Sequence, residues 1–307
     1  MLRLTSRNFF EVIPRRVMFV RRLSGSFDDD STKEHKGRLE GKIALITGGA
    51  SGLGKATARQ FLREGATVIL ADINSKLGSE AADELGSRAK FIECDVTVEK
   101  QVSNAVDFAM ARHGRLDILH NSAGITGPPA APDIASLNLA HFDQVMAVNV
   151  RGTVVAIKHA ARVMGPKGSG SILCTASISG LLGGLGPHPY SVSKFTIPGI
   201  VRSVASELCH RGIRINCISP FVIGTPLVVE QFARLYQGAE RERVLEIIKG
   251  LGELKGANCE EIDVAKAAVY LASDDAKYVS GHNLVVDGGF TGCKQLNLPM
   301  LDLMDQS

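Results

Sequence analysis

Tyr190 and Lys194 stand four residues apart. On a helix, positions i and i+4 share a face, which sets the lysine ammonium beside the tyrosine phenol. A free phenol titrates near ~10 and exchanges protons poorly at neutral pH. A neighbouring cation favours the phenolate and draws that value toward the working range of a general base. Ser177, thirteen residues upstream of Tyr190, can offer a hydroxyl to the same reacting oxygen. Such a trio can move a proton to or from an alcohol or a carbonyl. Alone, the pair reads more readily as an exposed ring and a solvated ammonium, so the case for chemistry rests on what precedes it in the chain.

The elements that would do so begin at Lys42. Residues 42–47 (KIALIT) are continuously apolar apart from their ends, as a buried parallel strand requires. They run into GGASGLG at 48–54. An amphipathic pattern through Ala56, Phe61 and Leu62 follows and ends near Gly65, and residues 67–72 (TVILAD) make a second strand. Strand, glycine turn, helix and strand within about 30 residues form the frame of a dinucleotide site. Gly48 permits the tight turn, Gly52 removes a side chain where pyrophosphate meets backbone, and Gly54 lets the helix close on the sheet. The pyrophosphate would face unpaired N–H groups at the positive end of the helix dipole. Asp72 ends the second strand, where a carboxylate accepts from ribose hydroxyls and repels a 2′-phosphate. Ile73 and Asn74 bring no arginine to reverse that preference, so the cofactor predicted is NAD.

Composition sets the outer bounds. A chain of 307 residues, 45% hydrophobic, accommodates one large α/β domain or two small ones. A net charge of +3 gives no argument for nucleic acid. No apolar run approaches the ~18 residues of a membrane span. The six cysteines, at 94, 174, 209, 217, 259 and 293, fit neither a zinc site nor a disulfide framework. No metal is expected, and His188 lacks acids or histidines at ligand spacing and reads as a wall residue. Residues 1–26 differ from the rest: six arginines, one acid (Glu11) and intervening apolar residues read as an organelle presequence, mitochondrial by preference. Cytoplasmic or plastid placement is the alternative. The expected organisation is an extension and linker over 1–37, a catalytic domain over 38–293 and a tail over 294–307.

Further along, residues 90–95, 116–121, 171–176, 214–219 and 283–287 read as strands. With the first two they predict a doubly wound parallel sheet of about seven strands, helices on both faces, in one α/β domain of Rossmann type. Helical patterns cover 102–111, 142–160 and 261–273. The loop 125–136 carries Pro128, Pro129 and Pro132 and is too proline-rich for regular structure. It follows a strand's carboxyl end, where open α/β sheets bind ligands. Asn149 is a poor residue for the middle of a helix, because its amide competes for backbone groups. Between 221 and 255, Leu227, Val228, Phe232, Leu235 and Tyr236 recur at roughly helical spacing, as in a lid over an apolar substrate.

In order along the chain, these motifs resemble the short-chain dehydrogenase/reductase family. Residues 47–54 (TGGASGLG) resemble its T-G-x-x-x-G-x-G turn, from which Gly48, Ser51, Gly52, Leu53 and Gly54 are the implied cofactor contacts. Asp95 and Val96 resemble the pair that holds adenine. Residues 121–124 (NSAG) resemble its N-N-A-G segment, adding Asn121, Ala123 and Gly124. Asn149, Ser177, Tyr190 and Lys194 fall at its catalytic tetrad. Pro220, Ile223 and Thr225 belong to a segment like the one beside its nicotinamide, and 286–289 (VDGG) resembles its closing strand motif. The likeness spans about 38–291. Residues 157–162, 186–190 and 271–275 narrow it to the plant secoisolariciresinol and xanthoxin dehydrogenase group, which implies a neutral hydrophobic alcohol or ketone on a terpenoid, lignan or steroid-like ring.

The resemblance implies that Tyr190 takes the hydroxyl proton and that Lys194 tunes the phenol and holds ribose. Ser177 positions the substrate oxygen, and a bend at Asn149 frees its carbonyl for a relay water. It also implies a homo-oligomer, dimer or tetramer, built on the final strand and the helices before Ser177. Four residues depart from the family pattern: Ser122 for its second Asn, Phe221 for Gly, Pro189 just before the tyrosine, and Pro198. Pro198 cannot donate to the Lys194 carbonyl, which predicts a short or bent helix. An NADPH-dependent carbonyl reductase and a catalytically silent nucleotide-binding protein stay open as alternatives.

Overall fold

The computed structural model describes residues 37–127 and 133–292. Seven strands form one sheet in the order β3-β2-β1-β4-β5-β6-β7. They are β1 (Ile43–Thr47), β2 (Thr67–Asp72), β3 (Ala89–Glu93), β4 (Ile118–Asn121), β5 (Gly170–Thr175), β6 (Ile213–Pro220) and β7 (Asn283–Val286). Every pairing is parallel. The order reverses between β1 and β4, the switch point at which an open α/β sheet leaves a crevice beyond its strand ends.

Helices cover both faces, and the strand residues alternate between two cores accordingly. Leu45, Ile172 and Cys174 join one core with helices α3 (Glu99–His113), α5 (Gly152–Met164) and α6 (His188–Cys209). Ala44, Ile46 and Leu173 join the other with α1 (Gly52–Arg63) and α9 (Glu261–Ala272). This two-sided burial is why the strands read as continuous apolar runs rather than as alternating ones.

Helix α2 (Ser75–Leu85), capped by the Asn74 side chain, had no counterpart in the sequence reading. The pattern expected over 142–160 resolves into α4 (Leu139–Met146), a π-helical turn (Ala147–Arg151) and α5. The expected lid contains α7 (Pro226–Leu235) and α8 (Arg241–Lys249), held on a small cluster of Val229, Val244 and Ile248. Pro189 sits in the first turn of α6, where no N–H is needed.

Pro198 departs from expectation. Helix α6 continues through it to Cys209, 22 residues in all, rather than ending short. The Lys194 carbonyl, which a fourth-residue N–H would otherwise occupy, lies instead against Gly180: a methyl group there would come within 2.4 Å of that oxygen. The proline therefore frees a carbonyl that the turn Ile178–Gly180 covers. The arginine-rich residues 1–26, the prolines at 128, 129 and 132, and the 294–307 tail lie outside the described residues.

Candidate active site

A cleft of about 960 Å³ opens at the carboxyl ends of β1, β2, β4, β5 and β6. The glycine turn forms one wall. Ser51 precedes α1 without a side-chain cap, so the first-turn N–H groups of α1 keep their donors for a ligand. Gly52 has φ +50, and a methyl on Gly54 would stand 2.0 Å from the Gly48 carbonyl oxygen, so the helix starts hard against its own turn. Asp72 lines the same wall; its carboxylate accepts from the Ala50 N–H at 3.0 Å and the Asn74 N–H at 3.0 Å. Asp95 and Val96 follow β3 on this side. Uncapped donors, a turn with no side chain to obstruct approach and a carboxylate at the end of β2 fit a dinucleotide whose pyrophosphate meets α1.

The other wall carries the candidate chemistry. Ser177, at the end of β5, starts the turn that packs on α6, and its Oγ accepts from the Ser179 N–H at 3.1 Å. Tyr190 and Lys194 share a face of α6, with the Lys194 Nζ 5.5 Å from the Tyr190 ring centre. That Nζ donates to the Thr175 carbonyl at 2.8 Å. Burial lowers the Lys194 ammonium to about 8. The expected depression of the phenol is absent in the free site: burial raises Tyr190 above its ordinary value, and the Ser177 hydroxyl opposes this only in part. The reason is geometric, since the ammonium lies over the ring and is committed to Thr175 rather than to the phenolic oxygen.

Asn149 lies in the π-helical turn and is 1% exposed. Its Oδ1 accepts from the Ile125 N–H at 2.9 Å, and its Nδ2 donates to the Ile125 carbonyl and the Ser193 Oγ, each at 2.9 Å. The odd mid-helix amide is thus fully used in bracing the loop after β4 against α6. The Asn149 carbonyl accepts from Thr153 Oγ1 at 2.7 Å.

Of the sequence-predicted residues, Gly48, Ser51, Gly52, Leu53, Gly54, Asp72, Asp95, Val96, Ala123, Gly124, Ser177, Tyr190, Lys194, Pro220, Ile223 and Thr225 all line the one cleft. Asn121 does not. It is buried behind the wall, where its Oδ1 accepts from Thr47 Oγ1 at 2.9 Å and its Nδ2 donates to Thr153 Oγ1 at 2.8 Å. Asn149 also stands behind the wall, as a brace. Sequence reasoning missed Gln144, Thr175, Gln231 and Phe290, which line the cleft.

A doubly wound parallel sheet with a glycine turn, an acidic β2 end and a Ser-Tyr-Lys cluster on one cleft defines a nicotinamide-dependent oxidoreductase, and the chain belongs to the short-chain dehydrogenase/reductase family. The family model described as "Enoyl-(Acyl carrier protein) reductase" matches residues 48–291. Secoisolariciresinol dehydrogenase of Forsythia intermedia is 47% identical over 261 residues, 84% of this chain and 92% of that protein. Xanthoxin dehydrogenase of Arabidopsis thaliana is 45% identical over 266 residues, 83% of this chain and 91% of that protein. Among solved structures, levodione reductase superposes with a TM-score of 0.78 at 31% identity, covering 83% of this chain and 100% of that one.

Proposed function

We propose that the protein is an NAD-dependent alcohol dehydrogenase acting on a neutral secondary alcohol, or its ketone, carried on a hydrophobic ring compound of terpenoid, lignan or steroid-like kind. The observation that carries this reading is the placement of Ser177, Tyr190 and Lys194 on the same cleft as the glycine turn and Asp72. NAD is favoured over NADP because Asp72 presents a carboxylate where a 2′-phosphate would need a cation, and Lys194, at the catalytic end, is the sole lysine or arginine among the described lining residues. The names of the plant relatives, dehydrogenases of secoisolariciresinol and xanthoxin, support the substrate class.

When bound, the nicotinamide ring supplies the hydride acceptor. Tyr190 removes the hydroxyl proton of the alcohol as the hydride leaves carbon. Ser177 fixes that oxygen and stabilises the charge developing on it. Lys194 turns from the Thr175 carbonyl to hold ribose hydroxyls, and its charge then favours the phenolate. Asn149 offers its carbonyl to a water that returns the proton to solvent.

The test is the appearance of NADH absorbance with a panel of ring alcohols, run in parallel with NADP. Tyr190→Phe should abolish turnover while leaving NADH binding intact; an active Phe variant, or a preference for NADP, would overturn the respective part. We extend the reading to mitochondrial import through residues 1–26, checked by imaging fluorescent fusions with and without them; the same diffuse signal from both counts against it. Apolar Leu139, Val154 and Val285, exposed on α4, α5 and β7, support a homo-oligomer, which light scattering would size.

A further inference from the structure

We infer that Phe221 and Phe290 form a fixed aromatic wall that sets how large a ring system the substrate end of the cleft accepts. The inference rests on the dehydrogenase reading and deepens it. Phe221 follows Pro220 at the end of β6 and is 8% exposed. Its backbone N–H donates to the Val286 carbonyl at 2.9 Å, which carries the sheet pairing one residue past β6. Its ring centre stands 5.0 Å from that of Phe290 with the planes tilted by 52°, a geometry aromatic rings favour.

Phe290 is held as firmly. It lies in a turn after β7 whose organiser is Asp287. The Asp287 carboxylate accepts from the Gly289 N–H at 2.9 Å, the Thr291 N–H at 2.8 Å and the Thr291 hydroxyl at 2.6 Å. Phe221 is therefore anchored at the end of β6 and Phe290 in the Asp287 turn after β7.

What lies behind the wall gives it consequence. A second cavity of about 460 Å³ sits on the far side, lined by Leu245, Ile248 and Ile262 among others. Phe221 borders both this cavity and the 960 Å³ cleft. Val222 and Ile223 border both as well, so residues 221–223 form the partition, with Phe221 its bulkiest side chain. Removing the Phe221 ring would lengthen the cleft toward this second cavity, whose lining also includes the charged Arg59, Arg63, Lys249, Glu260 and Glu261, whereas with the ring in place a long fused-ring substrate meets a barrier.

The experiment compares the parent with Phe221→Gly, Phe221→Leu and Phe290→Leu. The substrates are neutral one-, two-, three- and four-ring secondary alcohols. Two quantities are read: kcat/KM with NAD, and the Kd of each alcohol for the protein–NADH complex. In a hydrophobic pocket one methylene already shifts discrimination by roughly 10–200-fold. Phe221→Gly should therefore raise the four-ring to one-ring ratio of kcat/KM by at least about 10-fold. The two Leu variants, which keep a buried apolar side chain and so preserve folding, should move it in the same direction by roughly 3-fold. The Kd for NADH should stay within about 3-fold of the parent. A size ranking unchanged in the two Leu variants would overturn the wall. If the parent oxidises no alcohol, the dehydrogenase reading fails, and the Kd ranking of the same alcohols across the variants still decides whether the rings set the limit.

Discussion

Replacing Asn149 by Leu should weaken the fold and the catalysis together, through the same three hydrogen bonds. The substitution keeps the volume but strips the Ile125 N–H, the Ile125 carbonyl and the Ser193 hydroxyl of their partner, all now at 2.9 Å. A buried polar group left unsatisfied costs about 1–3 kcal/mol. Ser193 still donates to the Tyr190 carbonyl at 2.6 Å, so its loss is partial. Two full losses and one partial loss give about 3–4 kcal/mol. At about 2–4 °C per kcal/mol for a domain of this size, the melting midpoint should drop by about 6–15 °C. The Leu variant retains the main-chain carbonyl at 149, so a pure water-relay role predicts unchanged kcat in whatever fraction stays folded. The bracing role predicts a fall of about 100-fold, because Ser193 and the first turn of α6 lose their register against β4. Urea melts followed by circular dichroism, with NADH production measured below the transition, separate the two. A Leu variant within 1 kcal/mol of the parent would refute the reasoning.

Lys194→Met gives a pH-dependent result. The Lys194 pKa falls from 10.5 to about 8 on folding, so the unfolded chain holds that proton more tightly between those values. Folding therefore carries a cost that is fully present below pH 8 and fades as pH rises toward 10.5. At about 1.4 kcal/mol per unit, the stability of Lys194→Met relative to the parent should fall by about 2 kcal/mol between pH 7 and pH 9.5, on top of a pH-independent loss of the Thr175 hydrogen bond. The difference between the two proteins is the quantity to measure. Buried Cys94 and half-buried Cys259, each raised to about 11, make both proteins less stable as pH climbs past ~9. A difference that does not shift with pH contradicts the assignment. Gly180→Ala places a methyl 2.4 Å from the Lys194 oxygen and 2.6 Å from its carbonyl carbon, so the turn bearing Ser177 must lift from α6. The expected outcome is about 1–3 kcal/mol of destabilisation and a lowered kcat with the KM for NAD nearly unchanged; a variant with parental kcat speaks against that contact.

The five inner strands were legible because they are buried on both faces, and the glycine turn because its spacing is dictated by backbone contact. Asn149 was legible as an anomaly: an amide in mid-helix needs a reason, and the π turn with its bracing bonds is that reason. Three things were hidden. The motif placed Asn121 at the cofactor, but a motif reports which residue is required and not which way its side chain goes; here it turns inward to Thr47 and Thr153. Pro198 was read by its missing N–H alone, while the answer lay in Gly180, eighteen residues earlier and invisible to any periodicity. Phe290 reaches the cleft only because Asp287 organises the turn after the last strand, a tertiary fact with no local signature. The phenol went the opposite way from expectation, because helical spacing fixes where Lys194 starts but not which oxygen its ammonium chooses.

The hydrogen bonds behind the cleft wall form a single file. Thr47 donates to Asn121, Asn121 to Thr153, Thr153 to the Asn149 carbonyl, Asn149 to Ser193, and Ser193 to the carbonyl of Tyr190. All five point the same way, from the strand under the glycine turn to the residue that carries the phenol. Two of the links are amides, which cannot pass a proton on as a hydroxyl or a water can. The file is therefore an insulator: it ties the two halves of the cleft mechanically without itself carrying a proton from one to the other.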